Sequence, residues 1–486
     1  MSPRKCLQNY NLTFFFLLAM VSLIGVSLYL NRVPLPLPWS PSSSVASQWQ
    51  KSSAYCVTVK CLIQRLQKSI TFLPLKDLRY SNLDHSWFMS SINDTHDEDG
   101  LRYQEFPSEA SFGRLLCLKG KDTHDGSRNS YALAWPEALP ASSTLLTGLT
   151  FVSYNHYDFD NIWHGLSAAF PFVSWHQKNQ YASPERWVLY HWGELRANMN
   201  PWLRTLLMAT FNVPIKIEGF EWGGDDESVC FERAVVMRQN EGGMSEESRM
   251  KAYELIRCKA RKFCNVTTEE NTSSATATGD RSRELVGVTL LLRTGARSFS
   301  NESEVIRVFN DECSKIEACS LRIAYSNNLT VCDQVSDVHL HRLRIKTVRH
   351  SHYQTELLQV KLMSMTNILV SPHGAQLTNL FLMDRNSSVM EFYPMGWLRH
   401  AGVGQYVYQW LASWSGMKHQ GAWRDPRSFS CPFPDGDGRC IAIVKEKTIG
   451  INQTECAEWA RKVLRQVRAI KKNEKTRTKP AHLLCE

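Results

Sequence analysis

The stretch Asn367 to Pro394, NILVSPHGAQLTNLFLMDRNSSVMEFYP, constrains the fold more than any other part of this chain. Asn367 to Val370 and Ser388 to Phe392 are short, continuous apolar runs, the pattern of strands covered on both faces. Between them, Ala375 to Met383 spaces Leu377, Leu380 and Phe381 as a helix would. Strand, tight turn, helix, strand is half of a nucleotide-binding parallel sheet. Val286 to Leu292 (VGVTLLL) reads as a further buried strand. The Ser-Pro-His-Gly-Ala turn is then suited to an anion. Gly374 would let the anion approach the backbone, unpaired amides at the helix start would face it, and His373 would add a donor. The same residues also suit an ordinary strand-to-helix turn with a packed histidine.

A chain of 486 residues is long enough for two domains. Val266 to Arg283 is polar and almost without apolar side chains, the composition of an exposed linker, and marks the boundary. Upstream of it, apolar runs at Leu145 to Tyr154 and Trp187 to Tyr190 alternate with helix-like stretches at Ile162 to Trp175 and Pro201 to Phe211, which predicts α/β structure. Near the end, Trp459, Val463, Val467 and Ile470 lie at helical spacing among basic residues and predict an amphipathic closing helix.

From Leu12 to Leu30 no residue is charged, and about 20 such residues are what a helix needs to cross a membrane. Arg4 and Lys5 precede the run and only Arg32 follows closely, so the positive-inside rule keeps the N-terminus cytosolic and the remainder lumenal. The run is longer than the core of a cleaved signal peptide. Val33 to Gln48 is rich in Pro and Ser and reads as a stem. The expected layout is a tail at 1–11, a membrane helix at 12–30, a stem at 31–53, domains at 54–265 and 284–486, and a linker at 266–283 between them. Sequons at Asn93, Asn265, Asn271, Asn301, Asn328, Asn386 and Asn452 agree with a lumenal location. So do the cysteines, of which all but Cys6 follow the apolar run. Cys431 with Cys440 and Cys313 with Cys319 are local disulfide candidates, while Cys56-x4-Cys61 and Cys258-x5-Cys264 lack the paired knuckles of a structural zinc site. The net charge of +9 is spread along the chain without interleaved aromatic residues, which argues against a nucleic-acid partner.

The segment His373-Gly374-Ala375-Gln376-Leu377-Thr378-Asn379 resembles the HGA-x-LTN hallmark of glycosyltransferase family 61, and the apolar strand with Glu391 and Pro394 follows it as in that family. Two further segments are similar to family patterns. Arg293 and Arg297, four apart, precede Asn301-Glu302, and Asn161-Ile162-Trp163-His164 looks like the family's N-x-x-H helix start. The resemblance runs from about residue 150 to 415 and is closest to plant members. It implies a GT-B-like pair of Rossmann-like domains behind the membrane helix, and inverting transfer from a UDP-sugar, a pentose or GlcNAc donor, to a glycan or glycoprotein acceptor. No cofactor beyond the donor substrate is implied. A Golgi membrane, type II location follows.

Within that reading Arg293 and Arg297 suit a diphosphate, because guanidinium donates in a planar fork and stays charged. Ion pairing with Glu302 or Glu304 is their bland alternative. Donor contacts are also expected from Asn301, His373, Gly374, Ala375, Thr378 and Asn379, with Glu391 accepting ribose hydroxyls. The base that takes the acceptor's proton is sought among His164, Asp158 and Asp160. Many relatives carry an acidic residue shortly after this histidine, but Gly165 to Ala169 has none. Ser336 to Gln359 reads as an insertion, and its His339, His341, His350 and His352 as a basic solvated loop. Three Asp-x-Asp-type sequences, Asp97 to Asp99, Asp158 to Asp160 and Asp435 to Asp437, leave a metal-dependent transferase as another reading, with the second best placed. A lumenal nucleotide- or glycan-binding protein of the same fold that has lost catalysis is the alternative from a different class. A serine hydrolase lacks its G-x-S-x-G elbow.

Overall fold

Two β-sheets lie on either side of the polar stretch in sequence. The computed structural model describes residues 70–75, 95–96, 99–221, 224, 227–238, 243–266, 286–326, 346–347, 359–427, 429–434 and 436–474. The apolar run Leu12 to Leu30, the stem, nearly all of the linker and the four histidines of the insertion lie outside them. Among the described residues no helix is long and apolar enough to cross a membrane.

The first sheet contains β1 (Leu73–Pro74), β2 (Thr95–His96), β3 (Arg102–Phe106), β4 (Leu115–Lys119), β5 (Ser130–Ala134), β6 (Ser143–Asn155), β7 (Arg186–His191), β8 (Glu194–Arg196) and β9 (Ser228–Arg238). At its centre β6 runs parallel to both β7 and β9. β3 and β4 add to the far side of β9 in antiparallel sense. A disulfide joins Cys117 on β4 to Cys230 on β9. The sheet is therefore mixed. The predicted strands lie within β6 and β7, whose inner residues are buried without a break, as the continuous apolar runs require.

One face of this sheet carries α1 (Ile162–Lys178), α2 (Pro201–Phe211) and α3 (Glu246–Phe263). Each start is fixed by a side-chain cap. Asn161 accepts from the Trp163 amide, Asn200 from that of Trp202, and Ser245 from that of Ser248. α3 also places Glu246 and Glu247 in its first turn and Arg261 and Lys262 in its last, matching its dipole. α1 is buried on nearly every side from Trp163 to His176, so it is a core helix rather than a surface one.

The second sheet is built from β10 (Val286–Leu292), β11 (Cys319–Tyr325), β12 (Lys346–Thr347), β13 (Ile368–Pro372), β14 (Ser388–Tyr393) and β15 (Lys418–Arg424). Its order is β12-β11-β10-β13-β14-β15, with every pair parallel except β11 with β12. The chain runs outward from β10 to β11 through α4 (Glu302–Ser314), then returns past β10 to β13 by way of α5 (Gln359–Ser364). The direction of winding reverses between β10 and β13, the place where open parallel sheets form a ligand crevice at their carboxyl ends. Beyond β14 come α6 (Trp397–His400), α7 (Val407–Trp414), α8 (Gly438–Lys445) and the closing helix α9 (Gln453–Glu474), which packs on α4. Both local disulfides expected from sequence, Cys313–Cys319 and Cys431–Cys440, are formed.

The segment expected to be an α-helix after the Ser-Pro-His-Gly-Ala turn is a 3-10 helix, Ala375–Leu382. All its side chains from Gln376 to Leu382 are buried, and its backbone closes three-residue turns, Leu377 to Gly374 and Met383 to Leu380. A short wedge with no solvent-facing side has no amphipathic stripe to favour α geometry.

That wedge sits in an apolar core shared by both sheets. Phe170, Phe172, Trp202, Leu203 and Tyr253 from the first half meet Leu369, Leu377, Phe381, Tyr408 and Leu411 from the second. Polar groups tie the same seam. Trp202 Nε1 donates to Asn379 Oδ1 at 3.0 Å, and Arg257 donates to the carbonyls of Phe381 and Ser415 at 2.7 and 2.8 Å. Burial lowers Arg257 to about 10, which still leaves it charged at neutral pH.

Candidate active site

The crevice predicted by the winding reversal is lined by the segments that leave β10, β13 and β14. Arg293 follows β10 directly. Arg297 adopts a left-handed backbone with φ of 57° and is held by its amide on the carbonyl of Lys447 at 3.0 Å. Its guanidinium lies 5.8 Å from the ring centre of Trp397. Arg293 Nη1 lies where the side chain of residue 374 would be, because a Cβ built on Gly374 comes 2.5 Å from it. The backbone of Gly374 is extended, so glycine is required here for space and not for an unusual conformation. The space at Gly374 is taken by the ends of the Arg293 and Gln376 side chains.

Among the described residues no carboxylate pairs with Arg293 or Arg297, and Glu302 and Glu304 are engaged by Tyr325 and by Asn301 and Gln453 instead. The Nε atoms of both arginines are buried without a partner. Burial, and then the charge of Arg297, lower Arg293 to about 10. Burial likewise lowers Arg297. Two neighbouring cations, half-buried and without an ion pair among the described residues, have the charge and donors that suit a multiply charged anion. The Nε1 of Trp397 and the Nε2 of His400 on α6 are also buried and unpartnered.

His373 completes this side. Its amide is tied to the Phe392 carbonyl at 2.8 Å, and its ring lies 4.3 Å from Trp397 and 5.1 Å from Tyr408. Its Nδ1 meets Glu391 Oε1 at 2.5 Å, while the other carboxylate oxygen takes His419 Nε2 at 2.8 Å. Burial pushes the Glu391 carboxyl upward, but the charge and hydrogen bonds of His373 and His419 outweigh it and hold the group below its usual range. Glu391 is 0 % exposed with both oxygens engaged. Glu391 was expected to accept ribose hydroxyls; without ligand both its oxygens are on histidines.

The first half contributes the start of α1. Trp163 packs edge-on to Tyr408 at 5.9 Å, which ties α1 to the ring beside His373. His164 stacks on Tyr157 at 4.0 Å, and its Nδ1 is buried and unpartnered. Burial first, and then the charge of Lys445, lower it to about 4. The neighbouring Glu446 acts on both arginines. The C-terminal end of α8 thus flanks both His164 and the arginine pair. Asp158 caps the Phe159 amide at 2.7 Å and lies 3.7 Å from Arg196, whereas Asp160 is exposed.

Other expected contacts have structural occupations. Asn301 caps α4 by accepting from the Glu304 amide, so its side chain serves a helix start. Asn379 has its oxygen on Trp202 and its nitrogen on the Gln376 carbonyl, and it is fully buried. Its amide joins the two halves through Trp202. Thr378 is likewise fully buried, while Ala375 opens the 3-10 wedge. Of the sequons, Asn265, Asn301, Asn386 and Asn452 are exposed, whereas Asn93, Asn271 and Asn328 lie outside the described residues. A separate cavity of about 460 Å³ between α4 and α9 is lined by Glu312, Lys315, Arg461 and Arg465 among others, next to the turn that enters β11 and away from these groups.

Sequence reasoning missed Trp397, Tyr408 and His419. Trp397 and Tyr408 lie in segments with no pattern of their own, and His419 sits on an edge strand that pairs with β14 only in the folded sheet. Among known proteins, the family model described as Glycosyltransferase 61 matches residues 162–390, a span that runs from the start of α1 into β14. No curated protein matches the chain.

Proposed function

Because this chain belongs to glycosyltransferase family 61, we propose that it is an inverting, metal-independent transferase that moves a sugar from a UDP-sugar to a glycan or glycoprotein acceptor. The observation that carries this reading is the unpartnered pair Arg293 and Arg297 beside His373 at the winding reversal of the second sheet. In this reading the two sheets are the halves of a GT-B-like pair, with the donor nucleotide on the second and the acceptor on the first.

As the acceptor oxygen attacks the anomeric carbon and the bond to UDP breaks, negative charge builds on the β-phosphate. Arg293 and Arg297, with His373 beside them, receive that charge in a site that needs no reorganisation. His164 takes the acceptor's proton. It is uncharged at neutral pH in the free protein, and a bound diphosphate would draw its low pKa back upward. The donor is a pentose or GlcNAc nucleotide. The protein is held in the Golgi membrane by the Leu12 to Leu30 helix with its catalytic part lumenal.

One observation favours the impaired binding protein as a second reading. His164 Nδ1 has no partner to orient it, and the helix that follows offers no acid. The deciding experiment measures UDP release by the purified full-length protein against a panel of UDP-sugars and acceptors, with and without chelator. Acceptor-dependent release that survives chelator, and falls by about 100-fold or more in Arg293→Ala, supports the transferase. UDP binding without turnover by any donor selects the second reading, and loss of release in chelator overturns metal independence.

A further inference from the structure

We propose that His419 is a positioning residue that acts on the donor diphosphate through Glu391 and His373. The inference rests on the nucleotide-binding reading above and goes beyond it, because His419 lies outside every segment that suggested that reading.

A run of hydrogen bonds leads from the edge of the sheet inward. β15 runs parallel to β14, but their register shifts between Val389 and Glu391. Next to this bulge Gly421 adopts a φ of 91°, a conformation open to glycine without strain. The Gly421 amide donates to His419 Nδ1 at 3.3 Å. A ring nitrogen that accepts from an amide carries no proton, so the proton of a neutral His419 is on Nε2. That Nε2 donates to Glu391 Oε2 at 2.8 Å. The carboxylate is left with Oε1 for His373, whose Nδ1 donates to it at 2.5 Å.

This order has a consequence at the crevice. Without His419 the buried carboxylate keeps His373 and the Tyr393 hydroxyl near it but loses the partner that fixes Oε2, and with it the setting of His373. Fixed at both oxygens, Glu391 can accept from His373 only at Nδ1, which turns Nε2 away from the carboxylate. With Nδ1 committed to Glu391, Nε2 is the ring nitrogen left to the donor beside Arg293. His419 itself does not touch the donor. Its contribution is a neutral N–H on Oε2, and any group that supplies one at the same reach should replace it.

The test compares wild type, His419→Gln and His419→Leu as full-length protein, by calorimetric titration with UDP, melting temperature and steady-state transfer. Gln keeps a donor within reach of Glu391, and Leu removes it. We expect UDP affinity and kcat to fall about tenfold or more in His419→Leu, with acceptor KM unchanged, and to stay within about threefold of wild type in His419→Gln. If the Leu variant does not accumulate, His419→Asn, whose amide is one methylene short of Glu391, carries the same expectation as Leu. Wild-type affinity in the Leu or Asn variant overturns the proposal, as does equal loss in Gln and Leu. Failure of the wild-type protein to bind UDP is a different result. It overturns the nucleotide-binding reading itself, and this inference with it.

Discussion

His164 has an unusual position for an ionisable side chain, stacked on Tyr157 with its Nδ1 buried and unpartnered. Its pKa of about 4 in the folded protein lies below the ordinary value of 6.5. Between those two values the unfolded chain binds a proton that the folded protein does not, so stability is greatest above about pH 6.5 and is lost as pH falls toward 4. The melting temperature of His164→Gln should therefore drop less between pH 7 and pH 5 than that of wild type. Equal drops would mean that the imidazole is solvated. At this scale the arginines and His373 were legible, because their chemistry is carried by residue type and they stand next to recognisable strand ends. Glu391 was seen, but its partners were not. Its position in the strand was evident, whereas the two histidines that enclose it come from β13's exit and from β15, and only folding brings them together.

The 3-10 wedge connects the crevice to the seam between the halves. His373 and Gly374 stand at its head, and Asn379 in its body accepts from Trp202 on α2. Trp202→Phe keeps most of the ring but leaves the Asn379 oxygen buried and unpartnered, which should cost about 1–3 kcal/mol. A lower melting temperature, by several degrees, is the expected readout, and an unchanged one would show that the bond contributes nothing. The elements legible in sequence were those with a single strong pattern. β10 is one continuous apolar run, and α2 begins on Asn-Pro and carries its apolar residues at helical spacing. β15 was not legible because KHQGAWR is an edge strand with little buried surface and no alternation. The wedge was read as an α-helix because spacing over eight residues does not separate the two helix types when every side chain is buried.

Over the whole molecule, the two sheets were foreseeable from the apolar runs on either side of the polar linker, but their common core was not. Such contacts depend on which helix faces meet, and α1 and the wedge, being apolar all round, give no face from which to infer a partner. The described residues fall within one compact unit that begins at Ser69. Arg293 and Arg297 stand close together and, among the described residues, form no ion pair, with only the more distant charge of Glu446 to offset theirs. In the absence of ligand that pair works against folding, through desolvation and mutual repulsion. Arg293→Met should accordingly raise the melting temperature of the ligand-free protein while abolishing the further rise that UDP gives to wild type. A lower melting temperature in that variant would show that the arginine supports the fold. The molecule is thus a compromise between robustness and use. A lineage that no longer needed the anion could replace either arginine and become sturdier, yet this chain has kept both.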